Sequence, residues 1–182
     1  MSTVSVAPAV TIWAADPVHS TANFAVKHMV VATFRGGFED VTGTLDLAGE
    51  QPAVTGAVNV ASVRVKDENL YGHLQSPDFF DAERTPQITF ASTSVVRGEG
   101  SDVTVEGDLT IKGTTQRVRA TGEWVEVEAD ISGSPRIGLD LETVVDRTAY
   151  GLNWNAPLPK GGVAVANDVT LNVHLEFVPA EA

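Results

Sequence analysis

Residues 19–29, HSTANFAVKHM, alternate with a period of two. Ser20, Ala22, Phe24, Val26 and His28 share one face, and Thr21, Asn23 and Lys27 share the other. Such alternation belongs to a half-buried β-strand, whose successive side chains point to opposite sides of the sheet. The apolar row ends on a histidine, so His28 is expected to face a core. Four readings of it are open: a catalytic group, a metal ligand, a polar contact to a ligand, or a core histidine hydrogen-bonded to a neighbour.

The same period runs on along the chain. In SDVTVEGDLTIKG (101–113), Val103, Val105, Gly107, Leu109 and Ile111 oppose Asp102, Thr104, Glu106 and Asp108. In NDVTLNVHLEFV (167–178), Val169, Leu171, Val173, Leu175 and Phe177 oppose Thr170, Asn172, His174 and Glu176, which places His174 outside. Strands are expected near 19–30, 34–47, 53–65, 87–97, 101–112, 115–128, 134–145 and 163–178. Turns such as AGEQP (48–52), RGEGSD (97–102) and KGTT (112–115) join them at hairpin lengths. Eight half-buried antiparallel strands suit a barrel or a two-sheet sandwich. A glycine recurs in TGTLDL, TGAVNV, EGDLTI and TGEWVEV, at Gly43, Gly56, Gly107 and Gly122, on the faces of Leu45, Val58, Leu109 and Trp124. It marks either a curl in the strand or space left inside a barrel.

One stretch breaks the pattern: KDENLYGHLQSPDFFDAERTPQ (66–87). Asp67 can cap a short helix carrying Leu70, Tyr71 and Leu74, and Ser76–Pro77 reads as a second helix start. Phe79 and Phe80 are adjacent, so both can be buried only against an apolar opening. In an all-β domain that opening is a barrel end, and the segment is expected to plug it.

Composition narrows the function. The 182 residues suit one domain, and the hydrophobic fraction of 43% supports a sizeable core. A net charge of −12 argues against nucleic acid as a partner, since phosphates would be repelled. The absence of cysteine excludes disulfides, thiolate chemistry and Cys-based metal sites. MSTVSVAPAVTIW (1–13) has no Lys or Arg ahead of its apolar run, and no stretch reaches the roughly 18 apolar residues of a membrane span. A cytoplasmic location is therefore expected, with residues 1–12 as an N-terminal tail, 13–178 as the barrel and 179–182 as a C-terminal tail.

Several motifs in order resemble the YceI-like family. Asp16-Pro17-x-His19-Ser20, Phe24, His28 and FRGGF (34–38) match its opening; GHLQSPDFFD (72–81) with PQITFAST (86–93) matches its most distinctive stretch. GDLTIKGTT (107–115) and DRTAYGLNW (146–154) continue the match, which runs from about Trp13 to Phe177. One departure is visible: the family often carries Arg-Asp before Gly-His-Leu, where this chain has Leu70-Tyr71. The resemblance implies an eight-stranded antiparallel, lipocalin-like β-barrel with a short helical plug, whose apolar tunnel holds a long isoprenoid chain.

On that basis the inner faces become a tunnel lining. Its first third contributes Phe24, Val26, His28, Phe34 and Phe38; the middle contributes Leu45, Val58, Phe90, Leu109, Ile111 and Trp124. The last third adds Ile137, Leu139, Leu141, Trp154, Leu171 and Val173, and the plug adds Leu74, Phe79 and Phe80. Arg35, Arg147 and Tyr150 are candidate contacts to a quinone, alcohol or diphosphate head, although Arg147 alternatively braces a loop. The loop NAPLPKGGVAVAND (155–168) reads as a flap or as a plain connection. No cofactor or metal is expected, because His19, His28, His73 and His174 have no close ligand spacing. Expected partners are an isoprenoid or quinone ligand and, from the open barrel ends, a second copy in a homodimer. The rival readings are an enzyme using His28 or His73 as base beside Asp78 or Asp81, and a filled barrel acting as an interaction module.

Overall fold

The structure is a computed structural model and describes residues 10–180; residues 1–9 of the expected N-terminal tail and 181–182 of the expected C-terminal tail lie outside it. Its strands are β1 (Ile12–Ala15), β2 (Thr21–His28), β3 (Ala32–Phe38), β4 (Val41–Asp46), β5 (Ala53–Asn59), β6 (Val63–Arg64), β7 (Gln87–Arg97), β8 (Asp102–Ile111), β9 (Thr114–Val127), β10 (Arg136–Asp146) and β11 (Val165–Pro179). One helix, α1 (Glu68–Gln75), lies between β6 and β7.

These strands occupy eight positions around a closed antiparallel barrel. β1 and β2 form one interrupted position, since both pair with β11: Ala15 lies opposite Phe177 and Thr21 opposite His174. β4 and β3 pair with β1 and β2, and β5 and β6 pair in turn with β4 and β3. The ring continues β7, β8, β9, β10 and closes on β11. The expected strands 34–47 and 53–65 are therefore each broken in two, at 39–40 and 60–62. Backbone bonds hold the two breaks side by side: Glu39 N–H donates to Ser62 O, and Asn59 N–H to Asp40 O. The interruptions let strands bend around a small barrel, a role bulges and bends serve elsewhere. β1 was not foreseen, because IWAA offers only four residues of pattern.

Turn chemistry follows the sequence at β8–β9, where Lys112 and Gly113 both take left-handed φ (50° and 75°) in a two-residue hairpin. The plug differs in detail from the expectation. Asp67 caps α1, its carboxylate accepting from Leu70 N–H at 2.8 Å. Ser76, however, ends α1 instead of opening a second helix, donating its hydroxyl to His73 O. The chain then turns, and Phe79 and Phe80 are both buried. Adjacent side chains on a helix lie about 100° apart, so an irregular turn serves better to aim both rings one way.

The interior has two unlike halves. At one end Trp13, Leu45, Val105, Trp124, Leu139 and Phe177 belong to a dense cluster in which Leu45, Val105, Leu139 and Phe177 have no exposed surface. Towards the other end, residues of a second cluster, including Phe38, Leu109, Ile111 and Tyr150, surround a space that the plug covers.

Candidate ligand cavity

An apolar cavity of about 240 Å³ fills the plugged half of the barrel. For scale, an engineered cavity of roughly 150 Å³ stays dry and admits a benzene ring. Phe24 and Val26 from β2, Phe34 and Phe38 from β3, Val58 from β5 and Phe90 from β7 form part of its wall. Leu109 and Ile111 from β8, Leu141 from β10, Leu171 and Val173 from β11, and Leu74, Phe79 and Phe80 from the plug complete the expected residues found there. An aromatic strip crosses this wall: Phe24 lies 6.0 Å from Phe34 and 5.9 Å from Phe38, which meets Phe80 edge-on at 5.8 Å between centroids.

Six expected lining residues lie elsewhere. Leu45, Trp124, Ile137 and Leu139 pack in the solid half. His28 is exposed, paired with Ala32 two residues beyond the Val26–Phe34 pair, where the cavity has ended. It is not a core histidine. Trp154 stacks outside the wall, edge-on to His73 (4.7 Å) and tilted against Phe79 (5.7 Å). His73 also approaches Asp78 at 3.2 Å, yet neither residue, nor His28 or Asp81, reaches the cavity. Sequence reasoning passed over Val118, Ala120, Val145, Leu152 and Val169. Val169 carried a usable signal in its phase with Leu171; Leu152 follows a left-handed glycine and carried none.

The recurrent glycines mostly do not leave empty space. A Cβ at Gly107 would collide with the Phe90 ring, and Gly36, directly opposite Phe24, underlies that ring in the same way. The missing side chains seat aromatic rings, which then become wall. Gly43 and Gly122 are closely approached by backbone carbonyls of neighbouring strands. Only Gly56 of the four borders the cavity with room to spare.

The three candidate head-group residues separate. Arg35 is exposed and outside the cavity wall. Arg147 is 5% exposed and borders the cavity, but it donates to Ala166 O, Leu152 O, Trp154 O and Val165 O, so its fork braces residues 152–154 against the start of β11. Burial lowers its pKa from the ordinary arginine value. Tyr150 is 2% exposed and borders the cavity, and its hydroxyl has no hydrogen-bond partner among the described residues. Burial raises its pKa and keeps it neutral. It is the wall's uncommitted polar group.

Tertiary structure assembles one cluster that the sequence did not suggest. Asp16, His19 and Glu176 converge, but the Arg136 guanidinium enters between the carboxylates, 3.2 Å from Asp16 and 2.6 Å from Glu176, and also binds Asp130. The His19 hydrogen bond is the largest influence holding the Asp16 carboxyl at about 2. This is an ion-pair staple at the solid end. His174 pairs with Asp140 on the outer face.

The barrel thus has one solid half, one hollow half and a plug between β6 and β7. The YceI-like domain matches residues 13–177. The chain belongs to the YceI-like family. A UPF0312 protein of Staphylococcus aureus (strain USA300) is 33% identical over 91% of this chain and 96% of its own length. Among solved structures, Burkholderia cenocepacia BcnA superposes with a TM-score of 0.75 at 24% identity, over 89% of this chain and 98% of that one. A polyisoprenoid binding domain from Saccharophagus degradans superposes with a TM-score of 0.71 at 13% identity, over 94% and 100% of the two chains. At these identities the likeness establishes the fold. In this YceI-like chain the departing pair is structural: Leu70 packs against the plugged cluster, and the Tyr71 hydroxyl donates to Ala61 O at 3.0 Å. No helix among the described residues is long and apolar enough to cross a membrane.

Proposed function

We propose that this protein is a non-enzymatic carrier that holds the apolar chain of an isoprenoid lipid in the plugged half of its barrel. The observation that carries the reading is the cavity itself: about 240 Å³ with a wall of aliphatic and aromatic side chains. Each buried methylene is worth about 0.8 kcal/mol, so affinity needs no catalytic machinery. Scaled from the benzene-sized cavity, the space takes on the order of ten carbon atoms, or about two isoprene units. A longer chain therefore extends past the rim, since the solid half closes the other direction. A polar group of the ligand that enters the cavity meets the Tyr150 hydroxyl in its wall. A neutral oxygen suits that hydroxyl better than a diphosphate does, because four N–H donors of Arg147 are already turned to carbonyls. The polyisoprenoid-binding description of the Saccharophagus degradans domain supports the same ligand class.

The test is mass spectrometry of solvent extracts from freshly purified protein, together with titration of a fluorescent prenyl alcohol. Wild type is expected to release an isoprenoid and to bind the probe. Val58→Trp with Val173→Trp, which fills the cavity, is expected to reduce probe affinity at least about tenfold. An extract without lipid and a probe that does not bind would overturn the proposal.

A further inference from the structure

The β2–β3 hairpin presents an unusual tip. Met29, Val30 and Val31 connect His28 to Ala32, and Val30 and Val31 are 70% and 87% exposed. Met29 and Val30 also adopt left-handed φ of 51° and 67°. For a β-branched residue this conformation is a strained outlier, and Gly or Asn would serve the turn more cheaply. Fold stability therefore does not explain three consecutive apolar residues at this turn.

The tip does not stand alone. Met29 N–H donates to Ala164 O, and a Cβ added at Gly162 would lie 3.7 Å from both Val30 and Leu158. The hairpin and the loop around 157–163, with exposed Val163, thus form one apolar lip. It rises immediately past Val26 and Phe34, where the cavity wall ends.

Charge distinguishes this lip from the rest of the molecule. The chain carries 24 Asp and Glu, yet residues 17–38 and 147–167, the two segments that build the lip and its supports, contain none. Lys27, Arg35 and Lys160 lie in them and make no ion pair among the described residues. By contrast, exposed Ile131 follows Glu126, Glu128 and Asp130. An apolar tip flanked by free cations is complementary to an anionic lipid surface, where acyl chains receive the apolar residues and headgroups attract the lysines. A protein of net charge −12 would otherwise be repelled by such a surface.

We infer that the 29–31 hairpin and the 157–163 loop dock the cavity mouth on an anionic membrane surface. The purpose of docking, loading or unloading the cavity, rests on the carrier reading above; docking itself is measured independently of it. The experiment is flotation of the full chain with vesicles of phosphatidylcholine, with and without phosphatidylglycerol. In parallel, binding of the soluble prenyl probe is measured without vesicles. Wild type is expected to float with the anionic vesicles at low salt and to detach as salt screens the charges.

Val30→Asp with Val31→Asp, and separately Lys27→Glu with Lys160→Glu, are expected to lose at least about tenfold in vesicle affinity while retaining the probe. Met29→Asn with Val30→Gly relieves the turn, so it is expected to fold at least as well as wild type and still lose vesicle binding. Ile131→Asp is expected to change nothing. Wild type that fails to float, or equal losses from Ile131→Asp, would overturn the inference. So would a lipid-free dimer dissolved by the lip substitutions, which would assign the lip to a second copy. Vesicle binding that persists while no variant, wild type included, takes the probe leaves docking standing and removes the carrier reading.

Discussion

Phe24 and Phe90 each lie over a glycine of a neighbouring strand, and both rings form part of the cavity wall. At Gly107 an added methyl would meet both the Phe90 ring and, at 2.5 Å, the backbone oxygen of Ala91. A ring can tilt, but a strand carbonyl in a closed ladder cannot retreat. Gly107→Ala is accordingly expected to destabilise by about 1–3 kcal/mol in urea denaturation, the usual cost of overpacking. Gly56→Ala meets only Thr42 O, at 3.5 Å, and should be neutral or stabilising by up to about 1 kcal/mol through the unfolded chain. Similar costs at both positions would show that backbone bending, and not ring seating, is what the glycines serve.

Among the elements, the connection from β10 to β11 depends most on a single side chain. Arg147 collects carbonyls of Leu152, Trp154, Val165 and Ala166, while Asn155 brackets Val165 by accepting from its N–H and donating to its O. The base of the loop that reads as a flap is thus tied down, and its apex at 157–163 closes on the single Pro157–Val163 bridge. Arg147→Leu leaves these oxygens beside an apolar wall, and about 2–3 kcal/mol of stability is expected to go with them. Arg147→Lys should recover only part, because an ammonium lacks the planar fork that reaches several carbonyls at once. Amide hydrogen exchange at Val165, faster in both variants than in wild type, would locate the effect in this loop.

For the whole molecule, the ion-pair staple at the solid end links the β1–β2 break to β10 and β11 through Asp16, His19, Arg136 and Glu176. Asp16 is held down at about 2, so its contribution is complete above the unfolded carboxyl value of about 4 and is lost as pH falls towards 2. His19 is raised, chiefly by its hydrogen bond to Asp16, so its contribution is complete below about 6.5 and is lost as pH rises through the elevated folded value. Both operate together between about pH 4 and pH 6.5, where thermal stability is expected to peak. His19→Ala should flatten the alkaline limb of a melting-temperature profile, and Asp16→Asn should flatten both limbs. The effects are small and fall with added salt, because His19 is exposed.

Alternation and turn residues are local properties, and they were enough to read the eight strand positions, the plug and most inward phases from the chain alone. FRGGF and GHLQSPDFFD carried the family for the same reason. Depth along the barrel is not local: it depends on register and on how the ring closes, which no period of two records. So only the tertiary structure separated Phe24 and Leu171 at the cavity from Leu45 and Trp124 in the solid half, and put His28 outside. It also filled the space over Gly36 and Gly107 with rings, since a glycine does not reveal what will lie above it. The commitment of Arg147 to carbonyls and the freedom of the Tyr150 hydroxyl were decided there too, because the irregular path of the β10–β11 connection, which no period records, determines which carbonyls face the guanidinium.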